Sequence, residues 1–99
     1  MSHPRRSASR IALDILETID EGGEATKWDI IKVVGNTQQF RHWIEDFLLP
    51  KGVIAERTEG DRYYYYRKTE RGELFHDLLK SGNMVELLLR VSGQRLRRQ

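Results

Sequence analysis

The sequence predicts a mainly helical α+β fold, in which three helical segments precede a two-stranded hairpin and a long helix follows it. Three observations support this prediction. Apolar residues recur every three or four positions as far as Leu49, which is the spacing of amphipathic helices. From residue 53 to residue 67 the pattern becomes strand-like and includes four consecutive tyrosines. After Thr69 the helical spacing returns and continues almost to the last residue.

The first two helices are predicted from the signals at their ends. Ser7 or Ser9 can cap a helix that runs to about Glu21 and stops at the two glycines that follow. A second, short helix begins at Thr26, whose spacing to Asp29 is that of a capping box. The link between these helices has room for one bridge of strand.

A longer amphipathic helix follows the second one. Trp28 and Ile31 are expected to face inward from the second helix, with Ile30 and Val34 as further candidates. This helix ends at a Gly35-Asn36 turn suited to left-handed backbone geometry. Residues 37–49 then carry an apolar face, with Asn36 or Thr37 as the cap. A short helix, a tight turn and a longer helix form a helix-turn-helix, so we interpret residues 37–49 as its recognition helix. The apolar face consists of Phe40, Trp43, Ile44, Phe47 and Leu48.

The polar face of the recognition helix supplies the main candidates for DNA contact. A guanidinium at Arg41 can bind a guanine edge or phosphates, and an amide side chain can pair with adenine. Glu45 and Asp46 lie further along and would repel DNA, so the helix is expected to enter a groove by its N-terminal end. His42 is a weaker candidate, because a lone surface histidine is the simpler interpretation. The predicted DNA-binding residues are Thr37, Gln38, Gln39, Arg41, His42, Lys27, Lys32, Arg57 and Arg62.

The hairpin is interpreted as the wing of a winged helix-turn-helix. Its predicted strands are residues 53–58 and 62–67, joined by a three-residue loop, 59–61. Arg57 and Arg62 flank that loop and are candidates for phosphate contacts. The alternative is a charge network with the loop acids Glu59 and Asp61.

The four tyrosines of the second wing strand are expected to serve the fold. Because side chains alternate between the faces of a strand, Tyr64 and Tyr66 should pack on the helices. Tyr63 and Tyr65 should then line the outer face of the wing.

The last helix, capped by Thr69, is predicted to form a dimer. Its apolar residues step by three and four, as in a coiled coil. Residues 83–91 are too apolar to remain in water, and the rest of the chain is too small to cover them. We therefore expect a homodimer through Phe75, Leu78, Val85, Leu88, Leu89 and Leu96.

Charge divides the chain into basic ends and an acidic middle. Seven arginines lie in residues 5–10 and 90–98, and without them ten basic residues face fifteen acids, a net charge of −5 for residues 11–89. Basic ends indicate localised contacts to a polyanion, with solvated termini as the alternative. The predicted domains are a flexible basic arm (1–7), a winged helix-turn-helix domain (8–68), and a coiled-coil dimerisation helix with a basic tail (69–99).

The composition argues against several other classes of protein. There is no cysteine, and the three histidines have no metal-ligand spacing, so no metal or cofactor is expected. No constellation supports catalysis, so the chain is not expected to be an enzyme, and no small-molecule ligand is evident. No apolar run is long enough to span a membrane, and no secretory signal is present. We expect a cytoplasmic, nucleoid-associated protein.

Several motifs resemble those of a known family. The run from Leu48 to Gly52-Val53-Ile54, followed by Tyr66, Thr69, Gly72 and Leu74, resembles the small archaeal winged-helix DNA-binding proteins that dimerise through a long C-terminal antiparallel coiled-coil helix. The resemblance covers about residues 9–96. It implies a dimer that binds double-stranded DNA, either as a transcriptional regulator or as a nucleoid-associated protein. The antiparallel orientation rests on the resemblance alone.

One position departs from the family pattern. The residue before Thr69 is usually apolar, but here it is Lys68. Either its methylene stem covers the core while the ammonium reaches water, or the register of the strand is shifted.

The sequence also allows a different class of function. The acidic middle and acidic wing tip favour a winged helix that serves only as a protein-interaction module in a larger assembly, without DNA binding. The basic ends and the polar face of the recognition helix favour DNA.

Overall fold

The computed structural model describes residues 6–81 and has the predicted mainly helical winged-helix fold. The helices are α1 (Ala8–Gly22), α2 (Lys27–Val34), α3 (an α-helical turn, Thr37–Phe40, continued by a π-helical segment, Arg41–Leu48) and α4 (Glu70–Lys80). The strands are β1 (Ala25–Thr26), β2 (Ile54–Glu59) and β3 (Tyr63–Lys68). Most of the predicted arm, and the predicted dimerisation helix beyond α4, lie outside the described residues.

Side-chain caps set the starts of the helices, as the sequence predicts. Ser7 caps α1 by accepting a hydrogen bond from the backbone N–H of Arg10 at 3.1 Å. Thr26 and Asp29 form the predicted capping box at α2, with hydrogen bonds of 3.0 and 3.1 Å. Thr69 caps α4. Each cap satisfies backbone donors that have no partner within the helix.

Arg6, which belongs to the predicted basic arm, contacts two helices. Its guanidinium donates to the Asp14 carboxylate at 2.7 Å and to the carbonyl oxygen of Val33 at 2.9 Å. These two contacts join the start of the chain to both α1 and α2.

The recognition helix α3 differs from the expected regular α-helix after its first turn. Residues 41–48 have π-helical geometry, in which each N–H bonds five residues back, and the N–H of Leu49 still donates to the carbonyl of Ile44 at 2.9 Å. The predicted apolar face nevertheless points inward, since Phe40, Trp43 and Leu48 are buried. The wider turn therefore leaves the division into apolar and polar faces intact.

The wing belongs to a three-stranded antiparallel sheet. The strand order is β1-β3-β2, so the short strand Ala25–Thr26 pairs with β3 opposite Tyr66 and Tyr65. The predicted hairpin loop was wrong by one residue: Glu59 pairs with Tyr63, and the turn consists of residues 60–62. Gly60 has a positive φ of 62°, which glycine adopts without a steric cost.

Alternation along β3 directs the tyrosines as predicted. Tyr66 is buried in the core and Tyr64 packs against it, whereas Tyr63 is exposed. The phenol of Tyr66 donates to the Glu56 carboxylate on the facing strand at 2.8 Å. Burial, together with this hydrogen bond, raises the pKa of Tyr66.

The prediction that Trp28 faces the core was wrong. Its side chain is 65% exposed, and Ile30 and Val34 supply the buried face of α2. The reason is helical geometry: Ile30 and Val34 are four residues apart on one face, and Trp28 lies roughly 200° around the helix from Ile30. With only eight residues in α2, a single apolar face accounts for the helix's packing.

Lys68 is held in a charge cluster in which its own side chain is largely buried. Its ammonium lies 2.9 Å from Asp20, 3.1 Å from Glu73 and 2.8 Å from Nδ1 of His76, and its side chain is only 7% exposed, whereas both carboxylates are well exposed. The ammonium is therefore paired with carboxylates, an outcome that neither of the two alternatives for Lys68 included. The cluster joins α1, the end of β3 and the first half of α4.

Candidate nucleic-acid interface

The first turn of α3 presents three hydrogen-bonding side chains to solvent. Asn36 caps this turn, because its side-chain oxygen accepts from the backbone N–H of Gln39 at 2.8 Å. Phe40 is buried at the other side of the turn and packs edge-on against Tyr66, with ring centroids 5.8 Å apart. Thr37, Gln38 and Gln39 are consequently all exposed.

Arg41 and His42 extend this polar surface into the next turn. Both are exposed, and no carboxylate of residues 6–81 forms an ion pair with Arg41. The His42 ring stands edge-on to Trp43, with centroids 5.9 Å apart. Glu45 and Asp46 are exposed one turn later, so the donors cluster at the N-terminal half of the helix.

Lys27 lies where α2, α3 and the wing meet. Its ammonium is 5.5 Å from the ring centroid of Phe40 and 5.5 Å from that of Tyr64. Both contacts are cation–π interactions, which hold a charge close to the surface of a ring. Lys32 is exposed in the last turn of α2.

Arg57 forms a charge network with Glu59, one of the two acids in the alternative to a phosphate contact, and with Glu24, which that alternative did not include. Its guanidinium donates to both carboxylate oxygens of Glu24, at 2.9 and 2.8 Å, and to Glu59 at 3.2 Å. The same group lies over the Tyr65 ring, 4.3 Å from its centroid. The hydrogen bonds to Glu24 and Glu59 raise the pKa of Arg57, and the hydrogen bond from Arg57 lowers the pKa of Glu24.

Glu24 is the carboxylate partner of Arg57 that the sequence did not predict. It lies in the link between α1 and β1 and is 33 residues from Arg57. No local pattern pairs residues so far apart. The two side chains come together because β1 and β2 both pair with β3, on its two sides. Arg62, the other predicted wing arginine, is exposed in the turn 60–62.

The predicted dimer residues fall into two groups. Phe75 belongs to the core of the protomer itself, because it is 1% exposed and its ring packs on Phe47 with centroids 6.1 Å apart. Leu78 is half-buried against the same core. The remaining predicted interface residues lie outside the described part of the chain: Val85, Leu88, Leu89 and Leu96.

Within residues 6–81 the structure has no group of three or more histidine, cysteine, aspartate or glutamate side chains that could hold a metal ion. None of the helices in this part of the chain is long and apolar enough to cross a membrane.

Comparison with known proteins supports the fold through a solved structure. No protein-family model matches this chain, and no curated protein matches it. The crystal structure of Sso10a-2, a DNA-binding protein from Sulfolobus solfataricus, is similar to this chain with a TM-score of 0.64 and 20% sequence identity. The match covers 94% of this chain and 95% of that one. It confirms the fold.

Proposed function

We propose that this chain binds double-stranded DNA as a homodimer, with the N-terminal half of α3 in the major groove and the wing against the adjacent backbone. The role is that of a transcriptional regulator or a nucleoid-associated protein in the cytoplasm. The observation that carries the proposal is the exposed donor surface of α3. It consists of Thr37, Gln38, Gln39, Arg41 and His42.

The chemistry of this donor surface fits the edges of base pairs. Gln38 and Gln39 can each present an amide to adenine, and Arg41 can present a guanidinium to guanine or to phosphates. Because Arg41 forms no ion pair within residues 6–81, DNA binding would not first require a salt bridge there to break. Lys27 and Lys32 add positive charge from α2 for the backbone.

The similarity to Sso10a-2 supports the same partner. That protein is described as DNA-binding, and its structure matches nearly the whole length of this chain. Similarity at 20% identity establishes a fold rather than a function, so the proposal rests first on the α3 surface.

The proposed dimer rests on the C-terminal sequence. Residues 83–91 contain six apolar side chains in nine positions, and a second copy would remove them from water. Val85, Leu88, Leu89 and Leu96 are the proposed contacts, with Leu78 at the edge of the protomer core.

The test is fluorescence anisotropy of a labelled random-sequence duplex of about 30 base pairs, titrated with the full chain at low and physiological salt. We expect micromolar or tighter binding that weakens steeply with salt, and an Arg41→Ala variant that binds several-fold more weakly. Arg71→Ala is the matched control. It also removes one exposed arginine, but from α4, where the guanidinium donates to the carbonyl oxygen of Lys51 at 2.9 Å.

Two outcomes would contradict the proposal in different ways. Full binding by Arg41→Ala would exclude α3 as the main contact and move it to the wing or the arginine-rich ends. Absence of binding even at low salt would remove general DNA affinity from the proposal. Light scattering on the protein without duplex should give twice the 11.7 kDa mass of one chain.

The alternative function, a protein-interaction module, is favoured by one observation on the wing. Arg57 is already neutralised by Glu24 and Glu59, so the strand β2 offers a phosphate less positive charge than its sequence suggests. Without DNA binding at low salt, this alternative becomes the leading one.

A further inference from the structure

Trp28 is a large apolar side chain that the fold leaves in water. It is 65% exposed on the second position of α2, whereas Trp43, the other tryptophan, is 6% exposed. A tryptophan combines a broad apolar ring with a single N–H donor, which makes it effective at interfaces that are apolar at one end and polar at the other. The question is which partner fits the surroundings of this ring.

Trp28 lies at the end of α2 that is close to α3 and the wing. It follows β1 directly, and β1 is fixed to the wing by the pairing of Thr26 with Tyr65. Its neighbour Lys27 reaches the rings of Phe40 in α3 and Tyr64 in β3, each 5.5 Å away. The N-terminal end of α2 is therefore adjacent to both the recognition helix and the wing.

The charge around Trp28 suits a polyanion. Lys27 precedes it, and Lys32 lies four residues later on the same face of α2. Of the nearby acids, Glu24 is paired with Arg57, and the carboxylate of Asp29 accepts from the backbone N–H of Thr26 at 3.1 Å. An exposed ring with one lysine before it in the sequence and another one turn further along the helix fits a sugar–phosphate backbone better than it fits an apolar protein surface.

We infer that Trp28 is a further DNA contact, whose ring packs on the deoxyribose of the backbone while its indole N–H donates to a phosphate. This inference rests on the proposed function. It gives α2 a part in binding that is distinct from the charge of its lysines. Because the indole is uncharged, it contributes affinity without releasing a counterion.

The first measurement is acrylamide quenching of tryptophan fluorescence, with and without the duplex. The Trp43→Phe variant leaves Trp28 as the only tryptophan. The difference between wild type and Trp28→Phe gives the same signal if Trp43→Phe is poorly folded. We expect the duplex to reduce quenching of Trp28 at least about twofold, since contact removes most of the ring's exposed surface.

The second measurement is anisotropy with the same duplex. We expect Trp28→Ala to bind about tenfold more weakly and Trp28→Phe, which keeps a ring, about threefold more weakly. The salt dependence should stay that of wild type in both variants. Lys32→Ala is the control with the opposite signature, because losing one phosphate contact lowers the salt slope by about 0.9.

The outcomes separate this inference from the proposed function. If wild type shows no anisotropy change at low salt, both the proposed DNA binding and the inference about Trp28 are overturned. If wild type binds, but Trp28 stays open to acrylamide and Trp28→Ala binds normally, only the inference is overturned. It is also overturned if Trp28 becomes protected with rising protein concentration in the absence of DNA, since a second protein copy would then cover the ring.

Discussion

The guanidinium of Arg57 on β2 donates to both carboxylate oxygens of Glu24 in the α1–β1 link, at 2.9 and 2.8 Å. A bidentate pair of this kind fixes the orientation of the arginine as well as its charge. The stacking of Arg57 on Tyr65 holds the same side chain from a second direction. Arg57 is therefore already bound by side chains of the protein in the absence of DNA.

Releasing Arg57 should strengthen DNA binding. In Glu24→Gln the bidentate carboxylate is lost, and the guanidinium can turn toward a phosphate. We expect tighter binding of the random duplex at low salt and a salt slope steeper by about 0.9, the contribution of one added phosphate contact. Anisotropy titrations at several salt concentrations measure both quantities.

The double variant Glu24→Gln/Arg57→Ala serves as the control for this prediction. Removing a negative charge near DNA can raise affinity by itself, but only a freed Arg57 adds a phosphate contact. The double variant should therefore lose the steeper slope. An unchanged slope in Glu24→Gln itself would mean that Arg57 plays no part in binding even when it is released.

The buried ammonium of Lys68 should depend on its carboxylates. Asp20→Asn combined with Glu73→Gln leaves a cation whose side chain is 7% exposed without a counter-charge. Such a group is costly, but both acids are well exposed, so we expect a loss of about 1–2 kcal/mol in the free energy of unfolding. Urea denaturation at pH 7 measures it as a lower midpoint with an unchanged slope.

Replacing the lysine as well should restore stability. Lys68→Met on the same background removes the unpaired charge and keeps a side chain of similar length, and an apolar group at a buried site needs no partner. If the triple variant is no more stable than the double, the two carboxylates stabilise the fold by a route other than Lys68.

Acid should destabilise the protein through His76. Its ring is buried, and burial together with Lys68 and Lys80 lowers the pKa of His76, while Asp20 and Glu17 oppose that shift more weakly. The unfolded chain therefore binds a proton at His76 more readily than the folded chain does. The free energy of unfolding then falls as pH drops below about 6.5, by up to 1.4 kcal/mol per pH unit. Urea midpoints between pH 7.5 and pH 5, above the range where ordinary carboxylates titrate, measure this loss.

Variants of two histidines isolate this effect. His76→Gln should flatten the pH dependence over the range, whatever its effect on stability at pH 7.5. His42→Gln, which alters an exposed residue of α3, should keep the wild-type dependence. An unaltered dependence in His76→Gln would assign the loss to other groups.

Local signals in the sequence were sufficient for most of the fold. The caps depend on residues within one helical turn of each other, so spacing alone identifies Thr26 and Thr69 and limits the cap of α1 to Ser7 or Ser9. The strand β3 was recognisable because a run of aromatic residues after a glycine-containing loop favours a strand. The π-helical geometry of residues 41–48 was not predictable, since the apolar spacing there is also that of an α-helix.

The candidate site was less predictable, because it depends on which residues meet in space. The exposed donors of α3 followed from one amphipathic pattern. The engagement of Arg57 by Glu24 did not, since it arises from pairing between strands distant in sequence. Trp28 was misassigned because a tryptophan in a short helix is usually buried, and only the positions of Ile30 and Val34 determine which face α2 turns inward.

Gly72 is expected to be irreplaceable even by alanine. It lies in the first turn of α4, where a methyl group would overlap the carbonyl oxygen of Val53. That oxygen cannot easily move, because it accepts from both the backbone N–H and the hydroxyl of Thr69, at 3.1 and 3.0 Å. Although alanine favours helix, we expect Gly72→Ala to lower the free energy of unfolding by about 1–3 kcal/mol. Gly22→Ala, at the end of α1 with no atom within 4 Å of the added methyl, should be neutral or slightly stabilising in the same urea denaturation. Equal midpoints for the two variants would show that α4 can shift away from Val53 at no cost.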